Sequence, residues 1–170
     1  MVLETNIWFL ERLGNMSSYV NFYLKNGKTG TITYLFGYSR SNAIYEVFYE
    51  NFLNHQTKDG YCAELTAIDC ERLVRASLDK KSFNLNIIQS YEKSIKDLAT
   101  WNNSVEEKME YYSDWDGCIN QAKEDIEMYD HATSFYSILK EMVEYNPDKN
   151  VILAGIDCWA SKEEEKEADK

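Results

Sequence analysis

The sequence predicts an α+β fold, a small and mostly antiparallel sheet with four to six helices packed on it. Three observations point there: strand-like runs dominate the first 36 residues, helical periodicity fills the middle, and one more strand-like run closes the chain at 151–158. With 170 residues and 44% hydrophobic content, the chain suits one domain. A fold of that size buries about 70% of the surface its unfolded form exposes. No Gly-, Ser- or Pro-rich linker interrupts residues 1–160, which are therefore expected to form that domain, while the charged end 161–170 is expected to be disordered.

Val2 to Leu10 reads as a strand buried on both faces, and Tyr19 to Lys25 as one that puts Val20, Phe22 and Leu24 on one side. Asn26-Gly27 then signals a hairpin returning along Thr31 to Phe36. Ser39 or Ser41 is expected to cap a helix reaching about Asn54, with Ile44, Val47, Phe48 and Phe52 inward. Tyr61 to Leu65 is a short strand. Thr66 with Asp69 resembles a capping box opening a helix to about Lys80, and Ile87, Ile88, Tyr91, Ile95 and Leu98 define the next one.

Ser104 with Glu107 forms a Ser-x-x-Glu box ahead of Val105, Met109 and Tyr112, and Gly117 is expected to interrupt that helix. A new helix then starts with Ile119, Ala122, Ile126 and Tyr129 inward. Ala132, Phe135, Leu139, Met142 and Val143 mark a further one. Pro147-Asp148 makes a turn before the closing strand, Val151 to Cys158, which is expected to lie beside the first strand.

The formal net charge of −11 and pI near 4.7 disfavour a phosphate-backbone ligand, which needs a Lys or Arg stripe, and disfavour an anionic membrane surface for the same reason. No apolar run of about 18 residues offers a membrane span. Met1 to Leu10 lacks the basic start and cleavage site of a secretory signal, so a cytoplasmic location and reduced thiols are expected.

The charge is concentrated. The segment Ser104 to Asp130 carries nine carboxylates against two lysines, interleaved with Tyr111, Tyr112, Trp115 and Tyr129. On the helices above, Val105, Met109, Tyr112, Ile119, Ala122, Ile126 and Tyr129 point inward, which turns Glu106, Glu107, Glu110, Asp114, Glu124, Asp125 and Glu127 outward. These residues, with Asp116, are the candidate partner-binding surface. Such a face is either ordinary solvated helix, or an imitation of a phosphate array that occupies the basic channel of a nucleic-acid enzyme.

Other constellations are weaker. Gly27-Lys28-Thr29 lacks both the upstream glycine and the following helix of a phosphate loop. Cys62, Cys70, Cys118, Cys158, His55 and His131 show no short metal-ligand spacing, so no metal or other cofactor is assigned. A Cys118–His131 pair is conceivable only if separate helices bring the two together, and its acidic surroundings would weaken the thiolate. Asp114 and Asp116, beside Trp115 and Gly117, could act as paired carboxylates on a loop, or form a solvated bend. No catalytic residue is assigned.

The order of elements resembles a family of small bacteriophage- and prophage-borne proteins. The matching residues are Met1-Val2-Leu3-Glu4, Tyr38-Ser39-Arg40-Ser41-Asn42-Ala43-Ile44, Cys62-Ala63-Glu64-Leu65 into Ile68-Asp69-Cys70-Glu71-Arg72-Leu73, and Ile138-Leu139-Lys140 with the end from Val151 to Trp159. The resemblance covers about two thirds of the chain and departs at Ser104 to Gly117, where family members carry a Gly- and Phe-rich loop. It implies a phage accessory protein and supplies no catalytic residues. Joined to the acidic helices, it leads to the expectation of an anti-defence inhibitor, of the anti-CRISPR kind, that binds a basic host nuclease or effector in the bacterial cytoplasm. Two alternatives stand beside it. One is a binder of a nucleotide signal, stacking a base on Trp8, Tyr45, Tyr49 or Trp101 with Arg40, Arg72 and Arg75 as cations. The other is a toxin-neutralising immunity protein, which would use the same acidic logic.

Overall fold

The structure, a computed structural model, describes residues 18–52 and 63–157. Strands β1 (Tyr19–Lys25), β2 (Ile32–Ser39), β3 (Ala63–Leu65) and β4 (Val151–Ile156) form one antiparallel sheet in the order β2-β1-β4-β3. Helices α1 (Ala43–Phe52), α2 (Ala67–Leu98) and α3 (Val105–Glu144) complete the described elements. The α+β class and antiparallel sheet are as expected; the closing strand β4 pairs with β1, while its expected pairing with the strand at 2–10 falls outside the described residues. The expected strand at 2–10 and tail at 161–170 lie outside the described residues.

The sheet turns Val20, Phe22, Ile152 and Ala154 toward the helices, where they join Ile44, Val47, Phe48, Leu73, Phe135, Tyr136 and Leu139 in one buried cluster. Phe22 sits at its centre. Its ring meets Phe135 at 4.9 Å, Phe48 at 5.9 Å, Tyr136 at 6.3 Å and Tyr38 at 6.5 Å, each edge to face. Such pairs add about 0.5–1.5 kcal/mol beyond the area they bury. Opposite Phe22, β2 carries one extra residue: Phe22 pairs with Phe36 and Tyr23 with Tyr34, leaving Leu35 unmatched. This bulge reverses the facing of β2, so Tyr34 meets Tyr23 on the far side of the sheet, ring centres 5.6 Å apart.

The described residues hold three helices where four to six were expected, because three expected breaks do not occur: between Lys80 and Ile87, at Gly117, and between Tyr129 and Ala132. The runs to Lys80 and from Ile87 are one helix, α2, with no Gly or Pro between them. Its buried polar residues are satisfied internally: Ser77 Oγ donates to the Leu73 carbonyl (2.9 Å) and Asn84 Nδ2 to the Lys80 carbonyl (3.1 Å). Gly117 likewise fails to interrupt α3, which runs unbroken for 40 residues. A mid-helix glycine costs about 1 kcal/mol against alanine, too little to offset the packing of Trp115, Ile119 and Ala122 on either side of it.

Local signals fared unevenly. Both capping boxes form, Thr66 with Asp69 and Ser104 with Glu107. The cap of α1 is Asn42, whose Oδ1 accepts from the Ile44 amide (2.9 Å), while Ser39 and Ser41 bond each other (3.0 Å). The β1–β2 hairpin is wider than Asn26-Gly27 alone would make it. Asn26 Oδ1 accepts from the amides of Lys28 and Thr29, and the left-handed residue is Gly30, at φ 72°. Gly27 is needed for a different reason. It lies against the 146–150 turn, where a Cβ would overlap the carbonyl oxygens of Asp148 and Lys149, and its amide donates to Asn150 Oδ1 (3.2 Å).

Two substitutions test these points by chemical denaturation. Gly27→Ala must push one backbone turn off another and is expected to destabilise by about 2–3 kcal/mol. Gly117→Ala meets nothing within 4 Å and is expected to stabilise by about 0.5–1 kcal/mol, which no interrupted helix would show.

Candidate functional site

The core cluster takes no residue from α2 beyond Ala76 and none from α3 before Tyr129. The outer parts of these two antiparallel helices therefore form an arm, which at 1.5 Å per residue extends about 35 Å along α3. Its inner seam holds Ile87, Ile88, Tyr91, Ile95 and Leu98 of α2 against Trp115, Ile119, Ala122 and Ile126 of α3, all buried or half-buried. At the tip, Trp101 stands edge-on to Tyr111 (5.9 Å) and Trp115 (5.6 Å), which stack on each other at 5.6 Å.

The expected seam is corrected at its start. Ile119, Ala122 and Tyr129 are buried, but Val105, Met109 and Tyr112 are 72%, 62% and 45% exposed. The reason is geometric. The expected set steps in sevens (105, 112, 119, 126), and a straight α-helix drifts about 20° per seven residues, so Val105 stands about 60° away from Ile126. Followed back at 3.6 residues per turn, the seam runs through Trp115 to Tyr111 and Lys108 instead.

Glu106, Glu107, Glu110, Asp114, Asp116, Glu124 and Glu127 are exposed, and Asp125 is half-buried. Counted at 100° per residue, Glu106, Glu107, Glu110, Asp114, Glu124 and Asp125 share a sector of about 100° on the side of α3 away from α2, whereas Asp116 and Glu127 lie beside it. Three of the eight have local work, Asp116 by accepting from Asn120 Nδ2 (3.4 Å). Glu107 accepts from the Ser104 amide (3.0 Å) and from Asn103 (3.3 Å), and those bonds hold its carboxyl below the usual value. Asp125 accepts from Gln121 (3.0 Å). Among the described residues no salt bridge reaches Glu106, Glu110, Asp114 or Glu124.

The root of the arm differs. Lys80 bonds Glu46 (2.8 Å) and Glu50 (2.7 Å) of α1, and Tyr129 donates to Glu46 (2.9 Å), so three helices meet at one polar node. Burial lowers the Lys80 ammonium, but the two carboxylates outweigh it and hold it above its usual value. Lys81 pairs with Asp130 (2.6 Å) and Lys140 with Glu71 (2.5 Å). Nothing local in the sequence signals this node, because its members lie 34 and 83 residues apart.

The remaining candidates separate. Asp114 and Asp116 sit within α3 and not on a loop, and two residues along a helix turns their side chains about 160° apart, too divergent to act together. Cys118 and His131 share one helix, 13 residues or about 20 Å apart, and cannot pair. Burial pushes the Cys70 thiol up to about 12, leaving it inert at neutral pH. Lys28, of the Gly27-Lys28-Thr29 turn, pairs with Asp148, and a strand follows the turn. Among the described residues no three His, Cys, Asp or Glu converge on a metal position. Cys62, Cys158, His55 and Trp8 lie outside them.

Tyr45 and Tyr49 stack on each other (5.9 Å, 11°). Arg72 and Arg75 line an open cleft of about 430 Å³ with Asn51, Ile68, Glu71, Ala76 and Asp79, none of them aromatic. Arg75 bonds Glu71, and Arg72 lies over the Phe52 ring. Arg72 and Arg75 thus lie in a cleft without the stacking rings, whereas Arg40 acts on Tyr45 through its charge. Among the described residues no helix is long and apolar enough to cross a membrane. Comparison with protein-family models, with curated proteins and with solved structures finds no match in any of the three.

Acid titration tests the local carboxylate assignments. Hydrogen bonds from Lys140 and then Arg75 hold the Glu71 carboxyl below its usual value, as the Ser104 amide does for Glu107. A carboxyl with a folded pKa below its unfolded one stabilises the fold when ionised. That contribution is complete above the unfolded value of about 4.3 and is lost as pH falls through the folded value. Glu71→Gln combined with Glu107→Gln is therefore expected to flatten the fall in stability below about pH 4.3, read from denaturation midpoints across the acid range.

Proposed function

We propose that this protein works by binding and not by catalysis, laying the outer face of the α3 arm against the basic, phosphate-contacting surface of a nucleic-acid-directed protein and so inhibiting it. The observation that carries this reading is the row of exposed carboxylates Glu106, Glu110, Asp114 and Glu124. They share one side of an arm held clear of the core, and among the described residues no salt bridge neutralises them. Steps of four residues set the first three about 6 Å apart along the axis, and the row spans about 27 Å. An extended array of one sign steers an oppositely charged partner and competes with its phosphate ligand. The pattern resemblance to phage-borne proteins supports a host nuclease or effector as the target.

Capture from a bacterial lysate tests it. The intact protein is expected to retain a basic nuclease or nucleic-acid-binding effector at about 50 mM salt and to lose it near 500 mM, because exposed charges are screened beyond a few ångströms there. Reversal of Glu106, Glu110, Asp114 and Glu124 to Lys is expected to weaken that binding roughly tenfold or more while leaving the thermal midpoint nearly unchanged. Salt-insensitive binding, or binding indifferent to the reversal, would defeat the reading.

A further inference from the structure

We propose that the stripe Val105, Met109 and Tyr112 docks a basic amphipathic helix of the partner, an inference that rests on the acidic-surface reading and names the element it engages. The three residues sit at i, i+4 and i+7, one line about 10 Å long near the free end of the arm, and all three are exposed. Among the described residues none packs over this line. A helix laid along it would present its own i, i+3/i+4 and i+7 anchors at matching spacing, the geometry by which amphipathic helices seat in grooves.

Charge selects the occupant. Glu106, about 100° round the helix from Val105, flanks the stripe, and Asp116, four residues past Tyr112, closes its end. The nearest lysine in sequence, Lys108, turns away and donates to the Ala99 carbonyl (3.4 Å). A second copy would bring the same carboxylates against these, and an anionic bilayer or a nucleic acid would be repelled in the same way. A helix with leucine-like anchors on one face and Lys or Arg on its flanks satisfies both the apolar line and its acidic border. The neighbouring rings of Trp101, Tyr111 and Trp115 are already in mutual contact at 5.6–5.9 Å, so they brace the tip and leave no gap between them for a cation.

The test uses the full chain and two labelled Leu/Lys peptides of about 18 residues, one amphipathic as a helix and one of identical composition scrambled to abolish that face. The amphipathic peptide is expected to bind roughly tenfold or more tighter. Met109→Ser with Tyr112→Ser is expected to abolish that difference while leaving weaker, salt-sensitive binding of both peptides. Leu78→Ser with Leu85→Ser, exposed on α2, should leave it intact. Equal affinity for the two peptides in the intact protein overturns the proposal, as does discrimination that survives Met109→Ser with Tyr112→Ser. A concentration-dependent dimer that Met109→Ser dissolves also overturns it, in favour of a second copy. The two readings fail differently. Peptides that bind by charge alone defeat only the stripe, whereas binding that Glu106→Gln with Glu110→Gln leaves unchanged defeats the acidic surface.

Discussion

Everything the arm presents depends on how the second half of α3 is clamped to the sheet. Phe135 and Tyr136 press on Phe22 from one side and Phe48 of α1 from the other, and the Tyr136 hydroxyl donates to the Ile44 carbonyl at 2.5 Å. Tyr136 is wholly buried, and burial raises its hydroxyl well above the usual value, so it stays protonated and keeps donating. With that end held by edge-to-face rings, the rest of the same rigid helix can extend beyond the core and carry side chains on three of its sides.

Lysines divide the helix into two electrostatic regions. Near the clamp, Lys80, Lys81 and Lys140 of the packed helices meet Glu46, Glu50, Asp130 and Glu71, and the local charge is largely balanced. Toward the tip the seam is apolar and aromatic, and among the described residues no lysine forms a salt bridge with the outward carboxylates. The arm thus keeps its charge where it is farthest from the core. That costs little in stability, since exposed like charges several ångströms apart are screened by water and salt. An acidic face bordering an apolar line is the arrangement from which both proposals follow.

Residue pattern alone revealed much of what depended on near neighbours along the chain, though not the Asn42 cap of α1. The capping boxes at Thr66 and Ser104 are reciprocal bonds across three residues. The shared facing of Val20, Phe22 and Leu24 in β1, a strand buried on both faces, and the inward set of α1 are periodicities of two and 3.6, readable without knowing what lies opposite. The exposure of the acidic residues was legible for the same reason, carboxylates being costly to bury unless paired.

Tertiary structure alone decided whether a weak local signal would prevail. Gly117 looked like a break because glycine disfavours helix, yet packing against α2 outweighs about 1 kcal/mol and carries the helix through. That continuity imposed one phase on all of α3, which moved Val105, Met109 and Tyr112 from the expected core to the surface. The extra residue at Leu35, the turn that requires Gly27, and the Lys80 node each depend on a partner distant in sequence. The sequence by itself determined the class of fold, the capped starts of α2 and α3 and the acidic character of one helix. Only the packed structure decided how many helices there are and which of their faces meet solvent, because contact free energy between distant residues exceeds the local preferences that periodicity can read.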